Sequence, residues 1–237
     1  SSTTRRSVPG LMSGRMPSTI QWVGQIWPPK IDERHIMLAE ALQDGGYHTA
    51  AIHCCDGCFD ARAGMVQGFK HVDLSAAKCQ GKRQTSVREI VDKDIEHLNK
   101  ILSKGYGTPE KPFFLWSHFF EPHEPYTRHK GHKSFGKEPK ERYDGEIHYM
   151  DHHLGRLLSH LEGKGLMDRT IILYTADHGE EFYDHGNRFH GLSIYEELVH
   201  VPLMMAVPTL KGRAIATPTS HLDVLPTLLD LTGLPSS

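Results

Sequence analysis

Two patterns of apolar residues alternate along the chain. In one, apolar residues recur with the helical period of about 3.6 residues, and in the other they form short unbroken runs. The helical period predicts four helices, which are Asp32–Asp44, Ser86–Gly105 (opened by a Ser86–Glu89 capping box), Tyr143–Leu161 and Leu222–Thr232. The buried runs predict four strands, which are Thr49–Ile52, Pro112–Ser117, Thr170–Thr175 and Leu203–Ala206. This alternation indicates an α/β fold with a mostly parallel sheet and helices on both faces.

The strand Thr170–Thr175 lacks polar alternation, which predicts a central parallel strand buried on both faces. Asp177 and His178 follow it directly, and His185 and His190 come soon after. Ligands in open α/β sheets gather beyond the carboxyl ends of such strands. A carboxylate beside an imidazole suits a divalent cation, although a solvated turn with a helix-capping aspartate is the alternative.

Composition narrows the function classes. The chain has 237 residues, a formal net charge of -2 and 18 histidines. Its charge gives no electrostatic reason to expect nucleic acid or an anionic membrane surface as a partner. No apolar run reaches the roughly 18–20 residues that a membrane span needs. The histidine content favours imidazole chemistry or metal binding, and the sequence leaves the compartment and the oligomeric state open.

Several segments together resemble the sulfatase family of the alkaline phosphatase superfamily. They occur in family order, and they are Thr4–Pro17 (TRRSVPGLMSGRMP), Trp116–Tyr126 (WSHFFEPHEPY), Tyr143–Leu158, Thr175–Leu203 (with DHGEE, HG, YEE and VPL) and His221–Pro235. The resemblance covers almost the whole chain. It implies an alkaline phosphatase-like fold and one sulfatase-like catalytic domain over residues 1–237.

The family places its nucleophile at the start of a helix, where backbone N–H groups favour anionic oxygens. Counting back ten residues from Gly14, as the family pattern does, reaches Thr4. The resemblance therefore implies that Thr4 is the attacking oxygen, forms a covalent intermediate and also binds metal. Thr3 and Ser1 are alternative nucleophiles, and a Ser/Thr-rich helix cap without chemistry is the structural alternative.

The other matched positions imply the remaining roles. Asp177 and His178 resemble metal ligands that join Thr4 around a divalent cation, which would be Ca²⁺, Mn²⁺ or Zn²⁺. His123, in a Pro-His-x-Pro loop, resembles the histidine that contacts the transferred group or protonates the leaving oxygen. His190 occupies the region where many members neutralise substrate charge.

The nucleophile bears on the substrate. Sulfatases of the family convert a cysteine or serine to formylglycine, and Thr4 cannot form that aldehyde. The resemblance thus predicts a metal-dependent hydrolase of sulfate or phosphate esters, acting on a small-molecule, glycan-linked or lipid-linked ester. A phosphodiesterase or phosphotransferase of the same superfamily is the alternative within the enzyme class.

Two departures from the family pattern affect the expected activity. Members carry two acidic metal ligands on a strand before the nucleophile, and they continue into a C-terminal subdomain. This sequence contains neither, which predicts a domain truncated at both ends. A catalytically inactive remnant that serves as a binding module is therefore a further alternative.

Overall fold

The computed structural model describes residues 1–24, 29–54, 63–76 and 86–235. Within those limits the chain divides into two compact units. Of the described residues, the first unit comprises 1–24, 29–49, 63–70 and 167–235, and the second comprises 50–54, 71–76 and 86–166. That residues 1–237 act as one domain stays a prediction.

The helices and strands alternate over most of the chain. The helices are α1 (Thr4–Ser13), α2 (Leu38–Asp44), α3 (Val87–Leu102), α4 (Pro139–Gly163), α5 (Glu196–Val199) and α6 (Val224–Thr232). The strands are β1 (Trp22–Val23), β2 (Lys30–Ile31), β3 (His48–His53), β4 (His71–Asp73), β5 (Phe113–His118), β6 (Ile172–Thr175), β7 (Glu181–Phe182), β8 (Arg188–Phe189) and β9 (Leu203–Ala206). Short 3₁₀ turns occupy Met167–Arg169 and His221–Asp223.

Helix α1 anchors the first unit. Its buried Val8, Leu11 and Met12 follow helical spacing, and the helix packs against α6 and the 3₁₀ turn that precedes α6. Gly14 ends α1 in the left-handed region, with φ 64°. Helix α6 ends in the same way at Gly233, which confirms the predicted stop.

Strand β6 confirms the predicted strand, but the prediction of parallel neighbours for it is wrong. Among the described residues β6 pairs with β9, and the pairing is antiparallel. The β6 side chains are half-buried rather than fully buried. An unbroken apolar run indicates that a strand is at least partly buried on both faces. It carries no information about the direction of the neighbouring strand.

Helix α2 begins six residues later than the predicted Asp32–Asp44. Asp32 instead forms a tight turn, in which its carboxylate accepts hydrogen bonds from the backbone N–H and the guanidinium of Arg34. The guanidinium holds the pKa of Asp32 well below its usual range. The helix then opens at Met37, whose N–H donates to Glu40 Oε2 at 2.8 Å.

The second unit contains a three-stranded sheet in the order β4-β3-β5, in which β3 and β4 run parallel. Helix α3 packs against β5 and α4. Its capping box is present, since Glu89 Oε2 accepts a hydrogen bond from the Ser86 N–H at 3.2 Å. These elements confirm the α/β class and the predicted positions of β3, α3 and β5.

Among the described residues of this unit, three carboxylates are buried. The pattern of apolar residues in the sequence does not predict that carboxylates are buried at these positions. Asp94 accepts a hydrogen bond from Ser117 at 2.8 Å, and burial raises the pKa of Asp94 to about 7. Glu121 accepts from the Val87 N–H at the start of α3, and burial raises its pKa to about 7. Burial likewise raises the pKa of Glu146 to about 8.

The buried face of helix α4 is part apolar and part polar. Met150 and Leu161 are buried there together with Glu146 and His153, whereas Ile147 and Leu158 are exposed. Glu146 accepts backbone hydrogen bonds from His123 at 3.0 Å and Thr127 at 2.6 Å. The polar requirements of the 123–127 loop therefore help to decide which α4 face is buried, and hydrophobic periodicity does not report them.

The turn after β6 is tightly enclosed within the first unit. The Gly179 N–H donates to the Leu198 carbonyl at 2.9 Å. A Cβ atom on Gly179 would lie 2.0 Å from the Glu197 carbonyl oxygen, which is a backbone atom that cannot rotate away. Only glycine fits here, because the chain approaches α5 this closely.

No helix among the described residues is long and apolar enough to cross a lipid bilayer.

We predict that Asp94→Asn removes a pH-dependent loss of stability. The folded-state pKa of Asp94 lies above its unfolded value, so its contribution is greatest below about pH 4 and declines as the pH rises towards 7. Between pH 5 and 8 the wild type should lose on the order of 2 kcal/mol relative to the variant. Urea unfolding across this range measures the difference. Glu96→Gln, on the exposed face of the same helix, is the control, and parallel wild-type and Asp94→Asn profiles would contradict the assignment.

We predict that Gly179→Ala destabilises the protein by about 3 kcal/mol or more, because the new methyl group meets the α5 backbone. Gly155→Ala is the matched control, since Gly155 lies within α4 with no atom within 4 Å of the added Cβ. Alanine there should stabilise by about 0.5–1 kcal/mol. Thermal unfolding of both variants measures the contrast, and similar melting temperatures would contradict the close approach.

Candidate active site

Thr4 is the first residue of α1. Thr3 precedes it in an extended conformation, and the Thr3 carbonyl accepts the first-turn N–H groups of Arg6 and Ser7 at 3.1 and 2.9 Å. The first turn contains no acidic residue. The positive end of the helix dipole is thus not countered from within the helix, so this end favours negative charge supplied by another segment or by a ligand.

Asp177 and His178 meet Thr4 although they lie more than 170 residues away in sequence. The Thr4 hydroxyl oxygen lies 3.3 Å from His178 Nε2, and Asp177 Oδ2 lies 3.6 Å from the same nitrogen. The structure therefore brings together the three residues that the sequence proposes as metal ligands.

The Gly179 carbonyl sets the tautomer of His178. His178 Nδ1 lies 2.8 Å from that oxygen, and a carbonyl can only accept, so Nδ1 carries the proton. In the neutral ring Nε2 then presents a lone pair towards Thr4 and Asp177. A backbone hydrogen bond on the far nitrogen is the usual way in which a metal-binding imidazole is oriented.

These atoms fit a divalent cation. A hydroxyl, a carboxylate and an imidazole form a mixed oxygen and nitrogen donor set. Neighbouring ligand atoms about 2.0–2.4 Å from one ion lie roughly 2.8–3.9 Å from each other in octahedral or tetrahedral geometry, and the observed separations of 3.3 and 3.6 Å fall in that range. Thr4, Asp177 and His178 can therefore act as ligands of a single ion.

His190 lies beside His178, with ring centroids 4.1 Å apart. Its Nδ1 is 3.0 Å from the carboxylate of Glu180, a buried side chain, which orients the ring. The backbone around it is unusual, since Phe189 and Gly191 both have positive φ, 74° and 87°. A Cβ on Gly191 would lie 2.9 Å from the Thr3 side chain, so this turn packs directly against the start of α1.

A second donor group lies in the hairpin that follows. Glu181, His185 and Glu197 place ligand-type atoms within 4.8 Å of one another. His185 Nδ1 already lies 2.6 Å from Glu197 Oε1, and Glu181 Oε1 accepts the backbone N–H groups of His185 and Asn187. These contacts show that the three side chains stabilise the turn between β7 and β8. Their carboxylate and imidazole groups are also of types that bind metal ions.

Sequence reasoning missed the support beneath Asp177. The Ser7 hydroxyl donates to the Asp177 carbonyl, and Ser7 Oγ lies 3.3 Å from His221 Nδ1. His221 Nε2 in turn lies 3.1 Å from the hydroxyl of Thr175, at the end of β6. Burial lowers the pKa of His221, and the charge of Asp177 opposes that shift. Two signals were available: all three supporting residues lie in segments that match the family pattern, and Ser7 lies three residues after Thr4 on the same helical face.

His123 belongs to the second unit. Its Nδ1 lies 2.7 Å from the Glu124 carbonyl, its ring packs against Phe120 at 4.3 Å, and its N–H donates to the buried Glu146. These contacts fix the loop conformation around His123. Its role in the reaction stays a prediction.

Comparison with known proteins gives consistent results. The family model described as Sulfatase matches residues 1–234. Arylsulfatase K of Homo sapiens is 39% identical over 83 residues, which are 35% of this chain and 15% of that protein. This chain therefore aligns with only a small part of that curated relative.

Solved structures share the fold at low sequence identity. BT4656, solved in complex with its substrate D-glucosamine-2-N,6-O-disulfate, superimposes with a TM-score of 0.74 at 16% identity, over 100% of this chain and 68% of that chain. The lipoteichoic acid synthase LtaP from Listeria monocytogenes gives 0.73 at 16% identity, over 100% and 61%. At such identities the likeness shows the fold alone. The family match over almost every residue shows that this chain belongs to the sulfatase family.

Proposed function

We propose that the protein is a metal-dependent hydrolase of sulfate or phosphate esters that uses the Thr4 hydroxyl as its nucleophile. The observation that carries the proposal is the 3.3 Å separation between Thr4 Oγ1 and His178 Nε2 at the start of α1. A helix N-terminus, a hydroxyl and two metal-type ligands at one point are what transfer of an anionic group requires.

In the proposed reaction Thr4 Oγ attacks the sulfur or phosphorus atom and forms a covalent ester. The bond from that atom to the substrate's organic oxygen breaks, and the leaving oxygen takes a proton from His123. The Thr4 proton passes to solvent, which restores the proton on His123. Water then attacks the Thr4 ester, releases inorganic sulfate or phosphate and regenerates the hydroxyl.

Asp177, His178 and Thr4 would hold the divalent cation, which supplies a lower pKa for the hydroxyl and polarisation of the substrate oxygens. The imidazole suits Zn²⁺ and Mn²⁺, whereas Ca²⁺ would rely on the Thr4 and Asp177 oxygens, so the cation is proposed at the level of these three. His190 is oriented by Glu180 and would stabilise negative charge on the transferred group.

The proposed substrate class likewise includes both sulfate esters and phosphate esters. Membership of the sulfatase family supports sulfate esters, and the sulfated sugar bound by BT4656 supports a glycan-linked ester. The threonine favours the second candidate, a phosphoryl hydrolase or transferase, because Thr4 cannot be converted to the aldehyde that sulfatases of the family use. A catalytically inactive binding module is the remaining alternative.

We predict that Thr4→Ala lowers kcat/KM by about three orders of magnitude, because the covalent step loses its nucleophile. Thr4→Ser keeps the hydroxyl and should stay within about tenfold of the wild type. Thr3→Ala and Ser1→Ala test the alternative nucleophiles and should have little effect. Hydrolysis of 4-nitrophenyl sulfate and bis(4-nitrophenyl) phosphate with added Mn²⁺ or Ca²⁺ measures these rates and ranks the substrates.

The same set of proteins can contradict the proposal in separate ways. Unchanged turnover in Thr4→Ala would exclude Thr4 as the nucleophile. Stoichiometric metal binding by the wild type without turnover of either substrate would favour the inactive module.

We predict that His178→Ala weakens Mn²⁺ binding at least tenfold by calorimetry, since one of three protein ligands is lost. His185→Ala is the matched control, because it removes an imidazole from the neighbouring donor group and leaves the Thr4 cluster intact. The opposite pattern, with binding lost only in His185→Ala, would place the ion at Glu181 and Glu197 instead.

A further inference from the structure

The second unit contains a polar pocket that the proposed reaction does not use. It has a volume of about 380 Å³, and its lining consists of basic, imidazole and phenol side chains, which are Arg88, His129, Lys130, His132, Tyr149, His152, His153 and Arg156. Helices α3 and α4 and the loop between β5 and α4 supply these residues. We propose that this pocket binds an oxyanion, a sulfate or phosphate group, in addition to the reacting ester.

The fixed charges favour an anion. Arg88, Lys130 and Arg156 contribute three cations, and the described lining includes no carboxylate. Asp92 lies nearby and pairs with Arg156 at 2.6 Å and with Arg88 at 3.9 Å. Asp92 thus offsets one of the two guanidinium charges, and Glu89 and Glu121 also act on the lining residue Tyr149. The cations that line the pocket directly, rather than a large net charge around it, therefore favour an oxyanion.

His153 positions Arg156 at the pocket. The ring is 5% exposed, and its Nδ1 lies 3.0 Å from Arg156 Nη1. A guanidinium can only donate, so Nδ1 accepts. Asp92 accepts from the other terminal nitrogen of Arg156 at 2.6 Å. The guanidinium is therefore held in place from two sides, and its remaining N–H groups can donate to an oxyanion.

Aromatic packing holds the surrounding imidazoles in place. The His129 ring stacks on Tyr149 with centroids 3.6 Å apart and an interplanar angle of 3°. His132 packs edge-on against the rings of Tyr149 and His152, at 4.7 and 5.1 Å. A binding surface that is already ordered loses little conformational entropy when its ligand arrives.

A transition-metal ion fits this pocket less well, although histidines are common metal ligands. Among the described residues, no three of these imidazoles bring their nitrogens within 4.8 Å of one another. Three fixed cations would also repel a metal ion. The same charges attract an oxyanion. Geometry and electrostatics therefore both favour a negatively charged ligand over a metal ion.

Binding should strengthen as the pH falls. Burial and neighbouring charges lower the pKa of His129, His132 and His153, the last to about 4, so these rings are neutral at pH 8. A bound oxyanion favours the protonated form of His132 and raises its pKa. Further charges near the pocket are Asp92 and Arg156 beside His153, and Glu121, whose Oε1 lies 4.0 Å from His129 Nε2.

The test is titration of the full chain with sodium sulfate and sodium phosphate at pH 6 and pH 8, followed by calorimetry and by the imidazole ¹⁵N resonances of histidine-labelled protein. Arg88→Met combined with Lys130→Met removes two exposed cations and should weaken binding about tenfold. Lys104→Met combined with Lys164→Met removes the same net charge from exposed sites outside the lining and should leave affinity unchanged. His132→Gln assigns the resonance expected to shift.

Two further arms identify the site and the source of the anion. His178→Ala should still bind sulfate at the pocket, and loss of binding in that variant alone would assign the anion to the candidate active site and overturn the proposal. Equal weakening in both double variants, or no anion-dependent change in the wild type, would also overturn it. A sulfated disaccharide that binds more tightly than inorganic sulfate, beside an unsulfated disaccharide that does not bind, would identify a glycan-linked group as the source. Equal binding of the sulfated disaccharide and sulfate would identify the free ion.

Discussion

The meeting of the first residue of α1 with the turn after β6 is the constraint on which the candidate active site depends. Thr4 and His178 are 174 residues apart in sequence, and closing so long a segment has an entropic cost. The Ser7 side chain joins the two segments by donating to the Asp177 carbonyl, and the turn is itself fixed to α5, because the Gly179 N–H donates to the Leu198 carbonyl. The position of the candidate metal ligands therefore depends on contacts of the backbone beside them as well as on the side chains themselves.

In the second unit, buried carboxylates fix irregular backbone next to the helices. Glu121 accepts from the first N–H of α3, and Glu146 accepts from the N–H groups of His123 and Thr127. Each carboxylate gives up solvation on burial, which is why their pKa values rise. In exchange, N–H groups that no helix or strand satisfies obtain acceptors, and the loop around His123 keeps one conformation.

Much of the fold was predictable, because α3, β3, β5 and α6 carry strong local signals. Caps, glycine stops and unbroken apolar runs act within a few residues, so they can be interpreted from the sequence. Strand partners and helix faces depend on distant segments. That is why the direction of the β6 pairing differs from the prediction, and why polar side chains occupy part of the buried face of α4.

The candidate site divides in the same way. Thr4, Asp177, His178 and His190 come from motif spacing, and the structure brings them together in one unit. Ser7, Thr175 and His221 lie in segments that match the family pattern, but the pattern assigned them no role, because a supporting hydrogen bond needs only a suitable atom at the right place. Sequence patterns specify reactive groups more sharply than the groups that hold them.

The position of Thr4 at the end of α1 also bears on turnover. Backbone N–H groups recognise charge and oxygen geometry, and these change little between an ester and the free inorganic anion that leaves it. In the proposed reaction, such a site would therefore bind the inorganic product as well as the substrate. Discrimination between the two must then come from surfaces that contact the organic part of the molecule, and departure of the small ion can become the slow event of the cycle.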